Sequence, residues 1–260
     1  MKLALMPGDL VPADQLRGLG FEAVQLFFGG SDPAADPSIA AIDARLAAAD
    51  QTLAAMTLHL DLVGPQGPKP GEVERAIECV GKTAALKDRF GDNDKPILVW
   101  HPSGYPEADD IDDRAVFEGL CQALAAVCKT AEQQQVDVAV EITRAGSVGS
   151  AETFRHLKDR IGSPALRVCM DLANFAPDRT PVKRAVRMLA DDIAIAHGKD
   201  SSFADNGEVA HYGPTGTGRL DYETYIKALK EYTDVPYFVF EYYKNREQLL
   251  AARDIVRQYL

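Results

Sequence analysis

Short apolar runs alternate with longer segments of helical periodicity along the whole chain. The runs lie at Leu3–Met6, Ala23–Phe28, Ala54–Leu60, Ile97–Trp100, Val138–Ile142, Arg167–Leu172, Ile193–His197 and Tyr237–Tyr242. Each has strand length, and the segments between them repeat apolar residues at helical spacing. IAAIDARLAAA puts Ile39, Ile42 and Leu46 on one stripe, and FEGLCQALAAVCKTAEQQQ carries another. Helix starts are marked by Pro37-Ser38, by Ser150 ahead of Glu152 and Thr153, by Pro181, and by Asp221 before YETYIKALKEY. Strands alternating with helices predict parallel pairing through right-handed crossovers. Eight of them favour a closed (β/α)8 barrel, the TIM barrel, with residues 1–260 as one domain. An open doubly wound sheet is the alternative, but its GxGxxG turn after the first strand is missing. Asp200–Thr217 is the most irregular stretch and is expected to form a lid or pocket wall.

The polar residues at the strand ends change the picture. His101 follows ILVW, Glu141 follows DVAV, Asp171 follows RVCM, His197 follows IAIA and Glu241 follows YFVF. Parallel strands in a barrel bring their C-terminal ends to one face, so these side chains are expected to share a polar centre. Singly, each has a plainer reading. Glu141 and Glu241 would pair with an arginine such as Arg144, Asp171 would cap the next loop, and His197 would be a hydrogen-bonded core residue. Together, three carboxylates in a low-dielectric pocket require a cation. Glu141, Asp171, His197 and Glu241 are therefore predicted to hold one divalent metal ion, Mn2+, Mg2+, Co2+ or Zn2+.

Around this centre His59 and His101 are candidates for a substrate hydroxyl or a second metal, with neutral rim residues as the plain reading. Arg144 would orient substrate oxygens. His211 would close over the site from the long loop or simply be exposed there, and His156 is assigned to the surface or to packing. Trp100, Phe27, Phe28 and Tyr105 would form a wall for sugar stacking, against the commoner role of core packing. Gly213, Gly216 and Gly218 precede a helix and could free backbone amides for a phosphate or carboxylate, helped by Lys199 and Arg219 if both point inward.

The chain has 260 residues and a net charge of −11, and no basic strip interrupts it. That disfavours nucleic acid and anionic membrane surfaces as partners. No apolar stretch approaches the roughly 20 residues of a membrane span. Cys79, Cys121, Cys128 and Cys169 are scattered without a CxxC, as expected of buried thiols in a reducing cytoplasm.

These motifs resemble the xylose isomerase-like TIM-barrel superfamily. The resemblance rests on Glu141 in VAVEITRAG, Asp171 in VCMDLANF, His197-Gly-Lys199-Asp200, the GPTGTGRLDY junction and Glu241 in FVFEYY. It implies that Glu141 and Glu241 both ligate the metal and move protons, while Asp171 and His197 complete the ligand set. It also implies a metal-dependent isomerase or epimerase of a small ketose, working through a metal-stabilised enediolate. Its partner would be a sugar or sugar-like molecule, and a homo-oligomer is compatible with the scaffold. An endonuclease IV-like phosphodiesterase, an inosose dehydratase-like lyase and a non-catalytic polyol-binding module are the alternatives. Two positions depart from the pattern: Asn174 stands where a histidine is usual, and Gln25 where strand two often ends on glutamate.

Overall fold

The computed structural model describes residues 1–7, 12–102, 104–106, 112–144, 146–175, 180–205 and 209–260. Eight strands, β1 (Lys2–Leu5), β2 (Ala23–Phe27), β3 (Thr52–His59), β4 (Ile97–His101), β5 (Asp137–Glu141), β6 (Leu166–Asp171), β7 (Ile193–Gly198) and β8 (Tyr237–Phe240), close into a barrel. Neighbours follow chain order, all pairs are parallel, and β1 bonds to both β2 and β8. This is the expected (β/α)8 barrel.

The outer layer contains α1 (Ile39–Ala49), α2 (Pro70–Ala85), α3 (Asp113–Gln134), α4 (Ala151–Ile161), the short α5 (Leu172–Phe175), α6 (Val182–Leu189), α7 (Tyr222–Tyr232) and α8 (Arg246–Arg257). Three of the predicted starts are side-chain caps: Ser38, Ser150 and Asp221 accept from the amides of Ala41, Thr153 and Thr224, while Pro181 precedes α6 without a side-chain hydrogen bond. Ile39 departs from its expected stripe and is exposed, while Ile42 and Leu46 are buried. Between β1 and β2 the described residues hold one 3-10 turn, Ala13–Gln15, where Pro12, Gly18 and Gly20 break helical continuity.

Strand alternation divides the core. One parity faces the barrel axis and is small: Ala4, Ala23, Ala55, Ala139, Cys169 and Val239 belong to this inner cluster. The opposite parity packs under the helices with Leu98, Trp100, Val140, Met170 and Phe240. Removing each large side chain of that layer from water contributes roughly 2 kcal/mol. A buried ion pair, Arg75 to Asp36 at 2.5 Å, extends through Lys82 at 2.6 Å and ties α2 to the loop before α1.

The stretch expected to be irregular is partly ordered: Asp200–Phe203 pairs antiparallel with Val209–Gly213 as a hairpin over the mouth. Among the described residues, no helix is long and apolar enough to cross a membrane.

Candidate active site

The site is the continuation of the inner parity. Two residues beyond Ala23, Ala55, Val99, Ala139, Cys169, Ile195 and Val239 stand Gln25, Thr57, His101, Glu141, Asp171, His197 and Glu241. With a side-chain period of two, each points to the axis one layer above its apolar predecessor. The structure thus brings the four predicted ligands together. Ligand atoms of Glu141, Asp171, His197 and Glu241 all lie within 4.8 Å of one another, and all four side chains are buried or nearly so.

Lys199, two residues past His197, points the same way. Its Nζ lies 2.6 Å from Asp171 Oδ2, 3.0 Å from Glu241 Oε1 and 3.6 Å from Glu141 Oε1. Three carboxylates and one ammonium leave a formal charge of −2 in the centre. Asp171 Oδ1 accepts from the Ala173 amide, capping the short α5. Asn174, on that turn, donates to Glu141 Oε1 at 2.9 Å.

The orientation of His197 follows from its neighbours. Gln25 Nε2 donates to Thr57 Oγ1 at 2.8 Å, which turns the Gln25 carbonyl oxygen toward His197 Nε2 at 3.0 Å. A carbonyl only accepts, so Nε2 carries the proton and Nδ1 keeps its lone pair. Nδ1 then faces Glu141 Oε2 at 3.6 Å and Glu241 Oε1 at 3.7 Å. His197 Nδ1 is buried without a hydrogen-bond partner, while Asp171 Oδ2 and Glu241 Oε1 meet only the Lys199 ammonium. A buried imidazole lone pair turned toward carboxylate oxygens fits a cation, and an imidazole held by a second hydrogen bond is the usual state of a metal-ligating histidine. The same four groups could therefore hold the divalent ion.

Burial and neighbouring charge set the protonation states. Burial lowers the pKa of His197 and outweighs the pull of Glu141 and Asp171, so the ring is neutral. Burial alone would also lower that of Lys199, but Asp171, Glu241 and Glu141 hold it well above its ordinary value. Burial, with Asp171 and Glu141 nearby, raises Glu241 well above the usual carboxylate range. Glu141 goes the other way: burial opposes its ionisation, yet Lys199 and three histidines lower its pKa. Burial likewise raises the Cys169 thiol and keeps it protonated beneath the centre.

At the mouth His101 Nε2 stands 3.9 Å from Glu141 Oε1, and its ring stacks on His59 at 4.5 Å. Phe27 meets His59 edge-on at 5.7 Å. On the opposite side the rings of Tyr212 and Tyr242 cover Lys199 at 5.1 and 5.3 Å. Tyr242 directly follows Glu241 and has a left-handed φ of 61°, unusual for an aromatic residue.

Several expectations are corrected. Trp100 lies on the outer parity, buried, with its indole donating to Leu60 O, so it is core rather than wall. Phe28 is buried too, and Tyr105 donates to Asp113. Of the proposed aromatic wall, Phe27 stands at the mouth, edge-on to His59. His211 is exposed, and as the strand neighbour of Tyr212 it points to the opposite face of the hairpin, away from the centre. Arg144 is exposed in the turn after β5. His156 stacks on Phe117, the packing role expected of it.

In the glycine loop the Gly216 amide is taken by the chain itself: Asp200 accepts from the Ser201, Gly216 and Leu220 amides. A Cβ on Gly218 would sit 2.2 Å from Asp200 Oδ1, which explains the glycine, and Arg219 is exposed. Gln25 as the partner of His197, and Tyr212 and Tyr242 as the cover, were not anticipated as site residues. For Gln25 the inner parity was the available signal.

The xylose isomerase-like TIM barrel family matches residues 13–259, and the chain belongs to it. The fold is similar to that of D-psicose 3-epimerase from Clostridium cellulolyticum H10, solved with D-tagatose (TM-score 0.74, 16% identity, 100% of this chain and 99% of that one). It is similar also to a probable 3-DHS dehydratase from Bacillus anthracis (TM-score 0.76, 16% identity, 99% of both chains). A third similar structure is the IOLI protein with a bound zinc atom (TM-score 0.74, 15% identity, 100% and 99%). No curated protein matches the chain by sequence.

Proposed function

We propose that the protein is a divalent-metal-dependent isomerase or epimerase of a small ketose or related hydroxy-carbonyl compound. The observation that carries this reading is the unpartnered His197 Nδ1 lone pair facing buried carboxylate oxygens, held there by Gln25. When bound, the ion would act as a Lewis acid on the substrate's carbonyl and adjacent hydroxyl and make the neighbouring C–H bond more acidic.

The chain's own groups do the rest. Glu141 and Glu241 reach the centre from β5 and β8, different sides of the barrel wall, so one can take a proton from carbon while the other returns one. Asn174 holds Glu141 by one oxygen and leaves the other directed at the centre. His101 and His59, with Phe27, give the mouth a flat side suited to hydroxyls and ring faces. The epimerase fold relatives support the substrate class. Against a phosphodiesterase with several metals, both candidate ligand groups among the described residues include Glu141 and His197, which makes one centre.

The test is exchange with solvent. Mn2+-loaded protein in D2O with a panel of ketopentoses and ketohexoses should place deuterium on carbon beside the carbonyl, and Glu241→Gln should lose this by about 100-fold or more. Absence of exchange from every member of the panel contradicts the reading.

A further inference from the structure

The ammonium of Lys199 occupies the same carboxylates that the proposed ion would use. It lies nearest to Asp171 Oδ2 and Glu241 Oε1, which have no other hydrogen-bond partner. A divalent ion bound to those oxygens would repel an ammonium at such a distance in a buried setting. The two cations therefore compete.

The surroundings show where the lysine can go. Its backbone is pinned: the carbonyl accepts from the Tyr222 hydroxyl, and the next residue, Asp200, is held by three amides. The four-carbon side chain is the mobile part. Outward of the ammonium stand the faces of Tyr212 and Tyr242, 5.5 Å apart and partly open to solvent. Such faces attract a cation without a formal negative charge. Tyr242 keeps its left-handed backbone in this position.

We propose that Lys199 is a tethered counter-ion that exchanges with the metal. Without metal its ammonium sits against Asp171 and Glu241. When a divalent ion binds, the ammonium moves outward along the Tyr212 and Tyr242 rings, which already lie 5.1 and 5.3 Å from it, and presents a positive charge at the mouth, where substrate oxygens arrive. This rests on the metal reading above and adds to it a competitor supplied by the chain.

Chelator-stripped wild-type and Lys199→Met proteins are titrated with Mn2+ by calorimetry. The variant should bind at least about tenfold more tightly, the scale of one removed charge repulsion at this range. Before metal is added, the variant should also melt at a lower temperature than wild type. Should the variant not fold, wild type alone gives the answer. Lys199 is 4% exposed without metal and should be protected from a small amine-acylating reagent, and Mn2+ should increase its labelling as read by mass spectrometry.

Equal or weaker Mn2+ binding by Lys199→Met, or labelling unchanged by Mn2+, overturns the exchange while leaving the metal centre standing. Failure of both proteins to bind Mn2+ removes the metal centre, and the exchange with it.

Discussion

Gln25 shows how one neutral amide can decide the state of a ligand. Its carbonyl accepts from His197 Nε2 and so aims the Nδ1 lone pair inward. Gln25→Leu leaves that N–H without an acceptor. Mn2+ affinity should then fall by about 10- to 100-fold, the usual cost of losing such a support, as measured by competition with a chelating dye. Circular dichroism should show the fold retained, because Gln25 carries no load in the outer core. Unchanged affinity would mean that the imidazole is held some other way.

At this scale the sequence was partly legible. Glu141, Asp171, His197 and Glu241 stand out because carboxylates and imidazoles rarely end apolar strands. Trp100 misled because aromatic character says nothing about direction. Its parity, one residue before His101, does. Tyr212 could not be found this way, since its place depends on a hairpin that no apolar pattern announces.

Among the elements, the β7–α7 connection is built on Asp200 rather than on a bound anion. Gly218→Ala would drive a methyl group into the Asp200 carboxylate and the Ser201 carbonyl, at 2.2 and 2.3 Å. Overpacking of this kind costs about 1–3 kcal/mol, and thermal unfolding should show the loss even without metal. The glycines were readable as loop formers, but what the loop's amides bind was not, because the acceptor lies 16 residues before Gly216 and 20 before Leu220.

The Arg75–Asp36 pair gives a second prediction at this level. Burial would raise the Asp36 pKa, yet hydrogen bonds from Lys82, Arg75 and the Gly29 amide bring it below 3.8. A depressed carboxylate stabilises the fold above its unfolded pKa, and this contribution disappears as pH falls through the folded value. Asp36→Asn should therefore cost about 3 kcal/mol near neutral pH, with Arg75 left short of a partner. The gap to wild type should close as pH drops below about 4, and denaturant titrations across that range measure it.

For the molecule as a whole, the barrel was the most legible feature, since eight strand-length runs separated by helical segments leave few topologies open. The first crossover was the exception: its described residues hold one 3-10 turn where alternation suggested a helix. The barrel gives the centre its chemistry: strands far apart in sequence deliver polar side chains to one layer, above an apolar interior that keeps water from below. The most direct measurement of that account is a crystal structure of Mn2+-soaked protein with anomalous scattering at the manganese edge. The account predicts one strong anomalous peak per chain, contacted by Glu141, Asp171, His197 Nδ1 and Glu241. A peak elsewhere, or no peak among these four groups at saturating Mn2+, would contradict it.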